Sequence, residues 1–112
     1  MPIQPWSDSI WLITLDEEPA LSEDLINAQD QSQRAEPMPN IVLDFSCVKQ
    51  VNSSNLAQLL RLRKTAIDRG SRLKLAAIPN SVWVVFLTTG LTNIFDFAED
   101  LPTALAAIQM EQ

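Results

Sequence analysis

The sequence predicts a small α/β domain built on a mostly parallel sheet. Three observations carry that expectation. Short apolar runs rich in β-formers alternate with longer segments of helical spacing. The two glycines, Gly70 and Gly90, fall where helical patterns end. Hydrophobic residues make up 46% of the 112-residue chain, enough for one packed core. The expected order is β, (β), α, β, α, β, α, β, α, and this alternation requires right-handed crossovers between parallel strands. The result is a small mixed, mostly parallel sheet of four to five strands packed with about four helices. Four helices over so small a sheet cannot all lie on one face without crowding. Neither an internal repeat nor a second domain is visible, so residues 1–112 read as a single domain.

Ile10 to Leu15 is rich in β-formers and ends at Asp16-Glu17-Glu18, the pattern of a strand. Ile3 to Trp6 adds a short edge strand, weakened by Pro2 and Pro5 because proline cannot donate to a ladder. Ser22 is placed to cap a helix beginning near Glu23, with Glu23 and Asp24 in a first turn that favours negative charge. Leu21, Leu25, Ile26 and Ala28 form its thin apolar stripe, and Pro37 and Pro39 stop it. Ile41 to Phe45 is a continuous apolar run, expected of a strand covered on both faces. Leu56, Leu59, Leu60 and Ile67 recur at helical spacing, and Gly70 suits a left-handed end to that helix. Leu73 to Ile78 is the next strand. Ser81 can cap a helix that buries Val82, Trp83, Val85 and Phe86 and ends at Gly90. Ile94 to Phe97 reads as a short last strand, and Pro102 sits near the start of a final helix carrying Leu101, Leu105 and Ile108.

Charge and cysteine usage narrow the function. A net charge of −6 argues against nucleic acid or an anionic membrane surface as the main partner. The cations cluster, however: Arg61, Arg63, Lys64, Arg69, Arg72 and Lys74 are six of the eight. They read either as a solvated helix face or as a docking face for an acidic partner. Cys47 is the single cysteine, so no intrachain disulfide forms; it reads as a small core residue of an apolar strand in a reducing compartment. The segment MPIQPWSDS lacks the pattern of a secretory signal, and no apolar run approaches the ~20 residues of a membrane span. A cytoplasmic location is expected, without membrane insertion.

The densest chemical signal is Asn52-Ser53-Ser54-Asn55, where an apolar run gives way to a helical pattern. Backbone N–H groups at a helix start lack internal partners and carry partial positive charge, which favours a phosphate. The plain alternative is that Ser53 or Asn52 is a helix cap, and that the Ser54 hydroxyl bonds locally within the turn.

Three segments resemble STAS domains, the fold of bacterial anti-sigma factor antagonists. IVLDFSCVKQVNSSNLAQLLRLRKTAIDRG is similar to that family's apolar strand, Asp-Ser-Ser/Thr-Gly loop and long helix ending in glycine. SRLKLAAIPNSVWVVFLTTGLTNIFDF is similar to its strand, helix, Thr-Gly-Leu turn and short strand, and the third segment is the helix after Glu99-Asp100. The resemblance spans Ile10 to Ile108 and implies a STAS-like (SpoIIAA-like) fold. It also implies a partner-docking surface at Asn52, Ser53, Ser54, Asn55 and Leu56, within residues 52–60. Its phosphoacceptor would be Ser53, with Ser54 second, and its partner an anti-sigma factor kinase that binds the unphosphorylated form. Asn52 stands where the family has an acidic residue, and Asn55 where it has glycine; Asn55 is expected to put a side chain in the partner's approach. STAS subunits that dock on ABC transporter ATPases, or form signalling scaffolds without phosphorylation, supply the alternative.

An enzyme or small-molecule binder is the third class. A hydrolase needs a base beside its serine, and the chain has no histidine. With one cysteine as well, no metal site is expected, and without a phosphate-cradling glycine loop no cofactor site is expected. Asp44, Asp96 and Asp100 read as solvated acids at strand ends rather than a carboxylate centre. Trp11 and Trp83 read as core. Trp6 reads either as packed on the sheet edge or as an anchor for a partner, and the sequence leaves open a weak homodimer through the N-terminal third.

Overall fold

The computed structural model describes residues 3–111. The elements are β1 (Ile3–Ser7), β2 (Ile10–Thr14), α1 (Ala20–Arg34), β3 (Asn40–Asp44), α2 (Ser53–Asp68) and β4 (Leu73–Ala76). They are followed by α3 (Asn80–Thr88), a 3-10 turn (Leu91–Asn93), β5 (Asp96–Ala98) and α4 (Leu101–Glu111). Spatial order follows chain order, β1-β2-β3-β4-β5. β1 pairs antiparallel with β2 and every other pair is parallel.

This topology decides where the helices go. Successive crossovers that step the same way across a sheet with the same hand put their helices on the same face. α1, α2 and α3 therefore share one face, while α4, which follows the last strand, covers the other. Side chains alternate accordingly. Ile13, Leu15, Ile41, Leu43, Phe45, Leu73 and Leu75 join the larger core with Leu21, Leu25, Leu59, Leu62, Val82 and Phe86. Ile10, Leu12, Val42 and Ala76 meet Ala104, Leu105 and Ile108 of α4. β3 is thus covered on both faces, as its apolar run predicts. The expected crowding is relieved by this three-to-one division.

Aromatic contacts close the β5 end. Phe86 sits edge-on to Phe45, Phe95 and Phe97, at centroid distances of 6.5, 5.9 and 5.3 Å. Trp83 is edge-on to Phe97 at 4.9 Å, so it is half-buried rather than fully core. Trp11 is likewise partly buried against the larger core. Trp6 lies on the edge strand β1 and is 39% exposed.

Several local expectations are corrected. α1 begins at Ala20, not near Glu23, so Ser22 lies inside it and does not cap it. Ser81 lies inside α3, and its hydroxyl donates to the Lys49 carbonyl at 2.8 Å, tying α3 to the β3–α2 connection. Ile26, Leu60 and Ile67 face solvent, because α1 buries Leu21, Leu25, Ala28 and Ser32 while α2 buries Asn55, Leu59, Leu62 and Ala66. β5 starts two residues later than the apolar run suggests. Phe95 is spent on the core, and the ladder to β4 pairs Lys74, Leu75 and Ala76 with Asp96, Phe97 and Ala98. Cys47 is exposed. β3 ends at Asp44, and a turn follows in which Val48 N–H donates to the Phe45 carbonyl, leaving residue 47 at its tip. Gly70 and Gly90 do end their helices, with φ of +71° and +73°.

The cationic cluster dissolves into separate tasks. Arg69 donates to the Gln33 and Ala35 carbonyls at the C-terminus of α1, and Arg63 to the Ile94 carbonyl. Lys64 pairs with Asp68 and Arg72 with Glu111. Lys74 is not on a helix at all. It is 6% exposed on the α4 face of the sheet, 3.1 Å from both Asp96 and Glu111. Burial alone would pull its pKa down; hydrogen bonds and charge from Glu111 and Asp96 outweigh that and hold it above the ordinary lysine value. Among the three aspartates expected to be solvated, Asp44 is buried and accepts the Ser46 N–H, and Asp96 holds Lys74. Asp100 caps the first turn of α4 through the Thr103 N–H at 2.9 Å.

A buried charge is costly only when it is unpaired. Lys74→Met should therefore change stability by less than about 1 kcal/mol. The Asp96→Asn/Glu111→Gln double variant, which strands the ammonium, should lose about 2 kcal/mol in urea unfolding, discounted because both carboxylates are partly exposed.

Candidate functional site at the start of α2

Helix α2 starts where it does because two asparagines satisfy its first turn. Asn52 is extended, with φ −114° and ψ 176°, and its Oδ1 accepts the Asn55 N–H at 2.9 Å. Asn55 Oδ1 in return accepts the Asn52 N–H at 2.9 Å. This is a reciprocal capping box with asparagine in both roles. The Asn52 carbonyl takes the first helical bond, from Leu56 N–H at 3.1 Å.

Ser53 and Ser54 are the first two helical residues, and both are exposed. The cap is therefore Asn52 and not Ser53. Among the described residues neither serine hydroxyl is engaged by another protein group, and the expected local bond of Ser54 does not form. Their backbone N–H groups are two of the orphan donors that every helix start leaves pointing outward. Leu56, half-buried, packs against the main core.

Asn55 corrects an expectation. Its side chain is fully buried and turns inward, away from any approaching protein. Its Nδ2 reaches Glu18 Oε2 at 3.3 Å, Ser22 Oγ at 3.2 Å and Gln58 Oε1 at 3.4 Å. Asn52 Nδ2 also reaches Glu18 Oε2, at 3.4 Å. Glu18 completes the arrangement by accepting the Ser22 N–H at 2.6 Å on Oε1 and the Ser22 hydroxyl on Oε2. One carboxylate thus fastens the first turn of α1 to the first turn of α2. The Ser22 hydroxyl, then its amide, hold the Glu18 carboxyl below the ordinary value; slight burial opposes them, and Asn55 and Asn52 add to the lowering.

Of the box, the sequence offers Asn52 as a candidate cap and sets Asn55 at the surface; two asparagines three residues apart at a helix start are the local signal that joins them. Glu18 and Ser22 have no such signal, since nothing in sequence joins residue 18 to a loop 37 positions later. Glu17, Glu18, Gln50, Val51, Asn52 and Asn55 line an open depression of about 310 Å³ beside the corner. A second, of about 340 Å³, lies between α2 and β5. Among the described residues no group of three or more metal-ligating side chains converges, and no helix is long and apolar enough to cross a membrane. What the corner offers chemically is a free hydroxyl beside uncommitted N–H donors.

Substitutions should separate the roles. Asn55→Ala should cost about 2 kcal/mol, from a lost cap and stranded buried partners, while Ser53→Ala should change unfolding free energy by less than about 0.5 kcal/mol. Glu18 has a lowered folded pKa, so its contribution is complete above the unfolded value and is lost as pH falls through the folded one. Glu18→Gln should therefore flatten the loss of stability on acidification below about pH 4.5.

Comparisons with known proteins bear on the family and the fold. The family model described as STAS domain matches residues 11–104. No curated protein is significantly similar in sequence. Among solved structures, an anti-sigma-factor antagonist (STAS) domain protein from Planctomyces limnophilus aligns with a TM-score of 0.77 at 17% identity, covering 89% of this chain and 91% of its own. A sulfate transporter family protein from Wolinella succinogenes aligns with 0.75 at 13%, covering 96% of each chain. The Bacillus cell fate determinant SpoIIAA in its phosphorylated form aligns with 0.69 at 15%, covering 98% of this chain and 97% of that one. At these identities the likenesses speak for the fold, and the family model for membership. With the family model matching residues 11–104, most of its length, and a five-stranded sheet flanked by three helices on one face and one on the other among the described residues, this chain belongs to the STAS domain family.

Proposed function

We propose that this protein is a non-enzymatic regulatory binding module of the anti-sigma factor antagonist type, acting as a single cytoplasmic domain in bacterial signal transduction and transcription control. It docks a partner protein at residues 52–60, and phosphorylation of Ser53 switches that docking. The observation that carries the reading is the spare hydroxyl: Asn52 and Asn55 do the capping, so Ser53 can be modified without unfolding the helix start. In support, SpoIIAA, which has the same fold, is known in a phosphorylated form. The partner is an anti-sigma factor kinase: Ser53 Oγ attacks the γ-phosphorus of the kinase-bound ATP, the bond to ADP breaks and ADP leaves, and the hydroxyl proton passes to a base of the kinase or to water. Of the residues expected to meet it, Ser53, Ser54 and Asn52 present exposed atoms, Leu56 contributes its outer edge, and Asn55 acts from behind by holding Asn52.

Physical magnitudes make one phosphate sufficient. It brings about −1.5 to −2 charges and three acceptor oxygens. The uncommitted N–H groups of α2 can take up some of those oxygens, so the domain stays folded. In an interface the same charge, left unpaired, costs several kcal/mol, and about 2.7 kcal/mol already weakens binding a hundredfold.

A second reading keeps the docking surface and drops the phosphate. Asn52 offers no carboxylate beside the serine, and the fold is shared with a sulfate transporter family protein. In that reading the chain is a scaffold subunit, for example on an ABC transporter ATPase.

Incubation with the cognate kinase and ATP should add one phosphate by intact mass, and Ser53→Ala should abolish it. Ser53→Asp should weaken partner binding by at least about tenfold in calorimetry while shifting Tm by no more than about 2 °C. Equal affinity of Ser53→Asp and the unmodified protein would show that no switch exists, and binding without phosphate transfer would favour the scaffold.

A further inference from the structure

The Glu18 carboxylate holds a position that the proposed switch does not yet use. It lies on the β2–α1 turn, yet it receives both asparagine amides of the α2 corner, at 3.3 and 3.4 Å. Through its other contacts it receives the amide and hydroxyl of Ser22 in the first turn of α1. The Asn52 amide that points to Glu18 belongs to the residue immediately before Ser53. We infer that Glu18 is the positioning residue of the Ser53 corner: it orients Asn52 and Asn55, and a negative charge placed on Ser53 acts on it, carrying the state of residue 53 from α2 to the β2–α1 turn and α1.

Asn55 is buried, so its side chain cannot turn to water if the Glu18 charge is removed; its Nδ2 then keeps only the uncharged acceptors Ser22 Oγ at 3.2 Å and Gln58 Oε1 at 3.4 Å. Asn52 is different. Its side chain is at the surface and its Nδ2 donates to Glu18, so a second anion at the neighbouring residue competes for that donor. A phosphate or aspartate at residue 53 both repels the Glu18 carboxylate and draws on the same donor. Glu18 answers by loosening from the corner or by holding its proton more tightly. The turn around it carries two further acids, Asp16 and Glu17, which add to the repulsion, and the β3–α2 connection carries one cation, Lys49. Glu18 meets Asn52 from another element, 34 residues away in sequence, and so joins the β2–α1 turn to the α2 corner.

This rests on Ser53 as the switch residue for its purpose, but its test needs no kinase. The Ser22 amide proton, bonded to Glu18 at 2.6 Å, reports the ionisation of that carboxylate. Its chemical shift is followed against pH by NMR in the unmodified protein, Ser53→Asp, Asn52→Ala and Glu18→Gln. The unmodified protein should titrate below the ordinary glutamate range, and Glu18→Gln should lose the transition altogether. Ser53→Asp should raise the midpoint by about half a pKa unit, the size expected of a nearby unit charge in a solvent-screened setting. Asn52→Ala, which removes one donor without adding charge, should raise it by less. An unchanged midpoint in Ser53→Asp overturns the inference, as does a transition that survives Glu18→Gln. A rise in Ser53→Asp alongside a kinase that never modifies Ser53 would sustain the coupling and reject the phosphorylation switch.

Discussion

A helix start leaves orphan donors, and at the start of α2 two asparagine side chains take up the N–H groups of Asn52 and Asn55 while those of Ser53 and Ser54 stay uncommitted. That constraint organises the rest of the corner. Asn52 and Asn55 exchange side-chain and backbone hydrogen bonds, and both amides then lean on Glu18. Because the asparagines on either side do the capping, the Ser53 and Ser54 hydroxyls are left free of it. A free hydroxyl at a helix start is a consequence of who does the capping, and here it can be traced atom by atom.

The fold supplies the platform on which this corner is displayed. Sequential strand order and a constant crossover hand place α1, α2 and α3 side by side on one face, which brings the N-termini of α1 and α2 close enough for one carboxylate to bridge them. α4 sits on the opposite face over Ile10, Leu12, Val42 and Ala76, anchored at its C-terminus by Lys74 and Glu111. The two faces thus have different duties. One is held by a large apolar core with an aromatic cluster at its β5 end, the other by a small apolar patch and a paired buried lysine.

Much of this was legible in the sequence because it is written in local patterns. Alternation of β-rich runs with helical spacing gave the order of elements, and the Asn-Ser-Ser-Asn corner stood out beside its apolar strand. What was not legible depends on contacts between distant residues or on which turn of a helix faces inward. Leu60 and Ile67 have the same chemistry as Leu59 and Leu62, and only the rotation of α2 over the sheet sends them to solvent. Cys47 belongs to an apolar run by composition, but the strand ends three residues earlier at Asp44 and the chain turns. Lys74 reads as one more member of a basic cluster until its strand position places it under α4. Ser22 and Ser81 look like caps, yet Glu18 serves the first helix and Ser81 reaches back to Lys49. Glu18 itself had no sequence signal, since a bond across 37 residues leaves none.

Site-resolved amide hydrogen exchange across residues 52–56 reads out which donors of the α2 start are committed. Protection is expected at Asn55, bonded to the Asn52 side chain, and at Leu56, bonded to the Asn52 carbonyl, with fast exchange at Ser53 and Ser54. Slow exchange at Ser53 or Ser54, or exchange at Asn55 as fast as theirs, would mean that a serine is doing the capping and that no spare hydroxyl stands at residue 53.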